Sequence, residues 1–161
     1  MSYELSSHLR EEIDAWKARF PADRQRSAVI RALHLVQHDN KGFLTAEQMD
    51  AVADYLDLPA IQVYEVATFY SMFQTRACGR NEVSICTNIS CMLRGADEIV
   101  SHVENKLGIT LGESTPDGRI FLKQEEECIA ACCGAPAMQV NHKYHENLTP
   151  EMIDEILDGL D

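Results

Sequence analysis

Four cysteines in two short pairs are the residues of this sequence best suited to chemistry. Cys86 and Cys91 frame the segment CTNISC, and Cys128 and Cys132 frame the segment CIAAC. Two separate loops that each carry a pair of thiolates can converge on one metal centre, and four thiolates are the ligand set of an iron–sulfur cluster. If the two loops converge, we expect the site to carry an electron and the surrounding elements to position it.

The spacing of the pairs favours a [2Fe–2S] cluster over the other sites that cysteines build. Two pairs from two loops suit a centre with four thiolates on two irons. A structural zinc site is the main alternative, but zinc sites usually contain tighter C-x2-C pairs. A Rieske centre would need histidines in place of two cysteines. His142 and His145 do not adjoin either pair, and we expect them to be polar positions of a hairpin. Neither pair has the C-x-x-C spacing of a thiol–disulfide oxidoreductase.

The two remaining cysteines leave one ligand open. Cys133 adjoins Cys132, and Cys128 could pair with either of them, so the spacing alone does not choose. Cys78 lies in a polar segment and is expected to be a spare thiol rather than a ligand.

Two further features flank the second pair. The Ala135–Pro136 bond precedes a predicted strand, and a cis peptide bond there is a hypothesis, since the cis form is found almost only before proline. Residues 125–127 are three glutamates that run directly into Cys128. Their negative charge is expected to disfavour the addition of an electron and so to lower the reduction potential.

The composition is that of an acidic protein with a core of its own. With 161 residues the chain is long enough to bury an apolar core, either as one domain or as a domain with a helical extension. The net charge of −12, from 14 basic and 26 acidic residues, argues against a nucleic-acid or anionic-membrane partner. No apolar stretch approaches the roughly 18 residues of a membrane helix. The N-terminal segment lacks the features of a secretory signal or transit peptide. We therefore expect a cytoplasmic location, where clustered cysteines indicate metal or redox chemistry.

The N-terminal half of the chain, residues 1–74, is predicted to be helical. Apolar residues follow helical spacing within residues 22–38. Thr45, with Gln48 three residues later, forms the pattern of a capping box. A fourth helix is expected to begin near Pro59 and is apolar nearly all round. Such a helix is buried either in its own protein or against a partner.

The C-terminal half, residues 82–161, is predicted to be a small mixed sheet with helices packed on it. Strands are expected at 82–87, 119–123, 137–141 and 143–148, a turn at 115–118, and helices over 92–107 and from Pro150 after the cap Thr149. The first cysteine pair follows the first strand, and the second pair precedes the third. This order is that of a thioredoxin-like fold, in which both loops can lie at one end of the sheet. The predicted fold class is α+β.

These motifs together resemble those of the small [2Fe–2S] subunit of respiratory NADH:quinone oxidoreductase (complex I), the NuoE type. The resemblance covers nearly the whole chain and rests on EVATFY at 65–70 with Phe73, CTNISC at 86–91, TPDG at 115–118 and CIAACCGAP at 128–136. By position, it assigns the four cluster ligands to Cys86, Cys91, Cys128 and Cys132. The resemblance therefore favours Cys132 over Cys133.

The sequence departs from this family at Ala130, where relatives often have glycine. Alanine is accommodated there if its backbone angle φ is negative. On that condition we expect an intact site.

The resemblance also implies a fold, a partner and a role. The implied fold is a helical N-terminal region joined to a thioredoxin-like ferredoxin domain. The implied partner is a larger flavoprotein that binds NADH and FMN, with the cluster near the flavin and off the main electron path. The sequence contains no G-x-G-x-x-G fingerprint, which agrees with nucleotides that are bound elsewhere. We therefore expect a redox subunit that is not catalytic alone and is peripheral to the inner membrane through its complex.

Two other functions stay open on the sequence. A homologous diaphorase subunit of an NAD-linked hydrogenase or formate dehydrogenase would have the same cluster and fold. A zinc-stabilised interaction module would have no redox role. The co-purifying subunits distinguish the first alternative from a complex I subunit. The metal and sulfide content distinguishes the second alternative from a [2Fe–2S] protein.

Overall fold

The computed structural model describes residues 3–123 and 128–161, and the glutamates at 125–127 lie outside this part of the chain. The chain divides into two compact units, Met1–Ala77 and Cys78–Asp161.

The first unit consists of helices. They are α1 (Ser7–Lys17), a 3-10 segment (Ala22–Ala28), α2 (Val29–Asp39), α3 (Ala46–Leu56) and α4 (Ala60–Phe69). The capping box is confirmed, because the Gln48 N–H donates to Thr45 Oγ1 at 3.3 Å and the Thr45 N–H donates to Gln48 Oε1 at 2.9 Å. The helix predicted over 22–38 differs in its first turns, which are 3-10 rather than α.

The core of the first unit is a single apolar cluster. Its fully buried members include Ile13, Leu33, Val36, Leu44, Val52 and Val63. The apolar helix α4 contributes only Val63 and Ala67 to the buried set. On its other side the side chains of Ile61 and Phe69 are 64% and 80% exposed. One face of α4 therefore packs into the core of the first unit, and Ile61 and Phe69 lie outside that core.

The second unit contains a five-stranded mixed sheet, which confirms the α+β fold class. Its strands are β1 (Asn81–Ile85), β2 (Glu113–Ser114), β3 (Ile120–Lys123), β4 (Met138–Val140) and β5 (Lys143–His145), in the order β2-β3-β1-β4-β5. β1 is parallel to β3, and the other pairs are antiparallel. The two-residue strand β2 was not expected from the sequence. The predicted hairpin is confirmed as β4 and β5.

The helices of the second unit are α5 (Ile89–Met92), α6 (Ala96–Leu107) and α7 (Pro150–Asp158). The predicted helix over 92–107 is wrong at its start. Gly95 has φ 88°, a left-handed angle that glycine adopts without strain, and α6 begins only after it. The predicted cap of α7 is confirmed, since the Met152 N–H donates to Thr149 Oγ1 at 3.3 Å.

The core of the second unit is formed by the sheet together with α6 and α7. Its fully buried members include Val83, Ile85, Val103, Ile120, Leu122, Met138, Ile153 and Leu157. Across residues 3–123 and 128–161, no helix has the length and apolar character needed to cross a membrane.

Candidate metal centre

The two cysteine loops meet at one end of the β1–β4 pair. Because these strands are antiparallel, the end of β1 lies beside the start of β4, with Ile85 opposite Met138. The ladder continues one step further, where the Cys86 N–H donates to the carbonyl of Ala137 at 3.1 Å. The prediction that both loops lie at the same end of the sheet is confirmed.

The first pair is buried. Cys86 follows β1 directly and is 1% exposed, and Cys91 lies in α5 and is 2% exposed. The side chain of Asn88 caps α5 by accepting the Ile89 N–H at 2.9 Å. Burial, followed by the hydrogen bond with Cys86, raises the pKa of the Cys91 thiol to about 11. A thiolate is costly here without a positive charge, and a bound metal supplies that charge and deprotonates its thiol ligands.

The second pair is exposed, and its two sulfurs are close. Cys128 Sγ lies 3.4 Å from Cys132 Sγ. The Ala130 N–H donates to Cys128 Sγ at 3.4 Å, and this bond is the main reason that the pKa of Cys128 is lowered. The pKa of Cys132 is raised, mainly because it hydrogen-bonds to Cys128. The Ala130 N–H thus stabilises negative charge on one thiol of this pair.

Cys86 links the two pairs. Its sulfur lies close enough to Cys91 and to Cys128 to affect both thiols, since it raises the pKa of Cys91 and lowers the pKa of Cys128. Four cysteine sulfurs from two loops are therefore brought to one end of the sheet, and this donor set fits a [2Fe–2S] cluster. Within the described ranges, no group of three or more His, Cys, Asp or Glu side chains is placed so that it could hold a single metal ion. A two-iron centre does not require such a group, because each iron takes two protein thiolates.

The condition of a negative φ at Ala130 is not met. Ala130 has φ 62°, in the left-handed region that alanine adopts only at a cost of about 1–2 kcal/mol. The backbone turns there, and the Ala130 N–H points back to the sulfur two residues earlier. The hypothesis of a cis bond between Ala135 and Pro136 is confirmed.

Contacts from the C-terminal hairpin hold the second loop, and the sequence does not predict them. The Tyr144 hydroxyl on β5 donates to the carbonyl of Ile129 at 2.8 Å. After β5, the Asn147 N–H donates to the carbonyl of Gly134 at 2.6 Å, and the Leu148 N–H donates to the carbonyl of Pro136 at 3.0 Å. No local pattern marks these residues; only the predicted return of the hairpin could have suggested them.

The histidines stay outside the site, as expected. His142 lies in the turn between β4 and β5, and His145 is the last residue of β5. Cys133 is exposed, and it is Cys132 that makes the 3.4 Å sulfur contact with Cys128.

Comparison with known proteins identifies the family. The sequence model of the thioredoxin-like [2Fe–2S] ferredoxins matches residues 13–161. This chain belongs to the thioredoxin-like [2Fe–2S] ferredoxin family. The resemblance found in the motifs is thereby confirmed, and so is the thioredoxin-like character of the second unit.

Curated relatives of this ferredoxin are subunits of NADH oxidoreductases. It is 44% identical over 151 residues to the E subunit, form 2, of the NADH-quinone oxidoreductase of Rhizobium meliloti, a match that covers 94% of this chain and 88% of the relative. It is 41% identical over 153 residues to the corresponding E subunit of Rickettsia conorii, with 95% and 89% covered. A third relative, 40% identical over 158 residues, is "NADH dehydrogenase [ubiquinone] flavoprotein 2, mitochondrial" of Dictyostelium discoideum, with 98% and 64% covered.

A solved structure shares the fold of this ferredoxin. The NAD+-reducing [NiFe]-hydrogenase in its air-oxidized state superposes with a TM-score of 0.67 at 23% identity. The match covers 78% of this chain and 22% of the hydrogenase chain, so the ferredoxin spans about a fifth of that protein's length. At this identity the likeness concerns the fold alone.

Proposed function

We propose that this chain is the electron-carrier subunit of NADH:quinone oxidoreductase (complex I) and holds one [2Fe–2S] cluster on Cys86, Cys91, Cys128 and Cys132. The observation that carries the proposal is the meeting of both cysteine pairs at one end of the sheet, where Ile85 lies opposite Met138 and the Cys86 N–H donates to the carbonyl of Ala137. Identity of 40–44% to subunits of NADH oxidoreductases supports the assignment. When bound, such a cluster takes up and returns one electron.

The two pairs have different tasks in this proposal. The buried pair, Cys86 and Cys91, anchors the site to the sheet. The exposed pair forms the side of the metal site that faces solvent. There the Ala130 N–H stabilises negative charge on Cys128. Cys132 is the fourth ligand rather than Cys133, and the 3.4 Å distance between the Cys128 and Cys132 sulfurs supports this choice.

The proposed partner is a flavoprotein subunit of the same complex, which binds NADH and FMN. The cluster exchanges its electron with that FMN, so the chain is a redox subunit and not a complete enzyme. The missing dinucleotide fingerprint supports a division of labour between two chains. In this proposal the chain is cytoplasmic and reaches the inner membrane only through its complex.

Two alternatives differ in the support they have. A diaphorase subunit of an NAD-linked hydrogenase has the same fold, but the relatives with high identity are named as subunits of NADH oxidoreductases. Purification from the native host under mild conditions separates the two, because quinone-reductase or hydrogenase subunits would accompany the chain. A zinc-stabilised interaction module is disfavoured by membership in a [2Fe–2S] family.

The test is anaerobic purification followed by assays of iron, sulfide and zinc. We expect about two irons and two sulfides per chain, and an electron paramagnetic resonance signal only after reduction. Stoichiometric zinc without sulfide would contradict the proposal. The matched variants Cys132→Ser and Cys133→Ser then test the fourth ligand. We expect the reduced signal to be lost or strongly altered in Cys132→Ser and kept in Cys133→Ser, whereas the reverse result would show that Cys133 is the ligand.

A further inference from the structure

One peptide group beside the metal centre is hydrogen-bonded at both of its ends. Its carbonyl belongs to Ile129 and accepts the Tyr144 hydroxyl at 2.8 Å. Its N–H belongs to Ala130 and donates to Cys128 Sγ at 3.4 Å. The two bonds are therefore in series, from the phenol through one peptide group to the sulfur of a proposed cluster ligand.

Hydrogen bonds in series strengthen one another. A carbonyl that accepts a hydrogen bond is polarised, and its peptide N–H becomes a better donor, by roughly 10–30% per bond in condensed phases. Ile129, at the carbonyl end, is only 9% exposed, so water screens that end of the peptide group weakly, whereas Ala130 at the N–H end is exposed. A donor to a ligand sulfur stabilises the additional negative charge of the reduced cluster and raises its reduction potential.

The hydrogen bond from the Tyr144 hydroxyl is not the only contact that holds the loop of the second cysteine pair. Asn147 and Leu148 donate backbone hydrogen bonds to the carbonyls of Gly134 and Pro136. The strand that carries Tyr144 is itself paired with β4, where Tyr144 lies opposite Gln139. Removal of the hydroxyl alone therefore leaves the hairpin and the loop attached to each other, and its electronic effect can be measured separately.

We propose that Tyr144 is a positioning residue that raises the reduction potential of the cluster through the Ile129–Ala130 peptide group. This inference rests on the proposed function, since it needs the [2Fe–2S] cluster on the four cysteines. It adds a residue on the C-terminal hairpin to the determinants of the potential. The left-handed backbone at Ala130 belongs to the same device, because it turns the N–H toward the sulfur.

The experiment is a redox titration of the full chain, followed by the paramagnetic signal of the reduced cluster. In Tyr144→Phe the ring stays and the donor is lost, so the midpoint potential should fall. We expect roughly a twofold to fourfold shift of the one-electron reduction equilibrium, which is about 18–36 mV at 59 mV per tenfold change. Iron and sulfide content should equal that of the wild type.

A matched variant and a stronger donor separate this effect from a general loss of order. Tyr64→Phe removes a hydroxyl that donates to Asp50 in the first unit, and the potential should not change. Incorporation of a fluorinated tyrosine at position 144, titrated at a pH where it stays protonated, gives a more acidic phenol and should raise the potential. If Tyr144 had a purely structural role, the midpoint potential would not fall in Tyr144→Phe and rise in the fluorinated protein.

The outcomes are distinguishable. A wild-type signal whose potential is the same in Tyr144→Phe and in the fluorinated protein overturns this inference and leaves the proposed function intact. If Tyr144→Phe does not retain its cluster, the fluorinated protein decides, because an unchanged or lowered potential in it overturns the inference. A wild-type chain without a two-iron signal overturns both proposals.

Discussion

Ala130 illustrates how one residue can conflict with its backbone. Its φ of 62° is a conformation in which the Cβ atom crowds the following carbonyl. Glycine adopts this angle freely. The strain persists because the turn supplies a donor to Cys128 Sγ.

We expect Ala130→Gly to increase the free energy of unfolding by about 0.5–1 kcal/mol. Relief of about 1–2 kcal/mol of strain exceeds the roughly 0.5–1 kcal/mol that the greater freedom of glycine costs. The measurement is urea denaturation. Ala131→Gly is the control, because Ala131 has φ −107° and should lose about 0.5–1 kcal/mol on substitution. An equal decrease in the free energy of unfolding in both variants would show that the left-handed backbone carries no strain.

At the residue scale, the sequence was informative where chemistry depends on residue type and spacing. The two cysteine pairs could be found because closely spaced cysteines in two pairs indicate a metal, redox or disulfide site. The sign of φ at Ala130 and the bond from Tyr144 to the carbonyl of Ile129 could not be found. Both depend on how the hairpin packs against a loop that is distant in sequence.

At the scale of elements, local signals decided which predictions succeeded. Thr45 and Thr149 cap α3 and α7 with side-chain bonds that span three residues, so the sequence contains the whole signal. The strand β2 has only two residues and exists because it pairs with β3. Gly95 lies within a run of apolar residues at helical spacing that continues on both sides. Its left-handed φ angle marks the boundary between α5 and α6. Periodicity alone does not detect either feature.

Charged side chains connect the helices α6 and α7. Asp154 Oδ1 lies 2.9 Å from His102 Nε2 and 3.3 Å from Lys106 Nζ. The hydrogen bond with His102, and then the one with Lys106, hold the pKa of Asp154 below its usual range. A carboxylate whose pKa is lowered by folding stabilises the folded state above its unfolded pKa of about 3.9, and this stability is lost as the pH falls through the lowered value.

We therefore expect Asp154→Asn to be less stable than the wild type at pH 7. The difference should shrink on acidification and disappear once Asp154 is protonated in the folded wild type. Urea denaturation across a series of pH values measures this change. Glu155→Gln, at an exposed position of the same helix, is the control and should show no comparable pH-dependent difference. A constant gap between Asp154→Asn and wild type at every pH would contradict the assignment.

At the scale of the whole molecule, each unit has its own apolar core. The first core lies within Met1–Ala77, and the second lies within Cys78–Asp161. All four proposed ligands and Tyr144 belong to the second unit. We propose that this unit is an independent domain, as the sequence predicts for residues 82–161.

A protein that contains only residues 78–161 should fold and assemble the cluster. We expect the same iron and sulfide content per chain, and the same reduced paramagnetic signal, as in the full chain. Cys128→Ser in the shortened protein is the control and should abolish the signal. A shortened protein that is unfolded by circular dichroism would show instead that the second core depends on the helical unit.

Assembly of the metal centre depends on the antiparallel pairing of β1 with β4. The cysteine pairs are far apart in sequence and meet only when Ile85 lies opposite Met138. Before that pairing, the chain offers two separate two-sulfur chelators. Afterwards it offers one four-sulfur chelator, in which the second pair is already at a high effective concentration. We therefore expect iron delivery and closure of the sheet to favour each other.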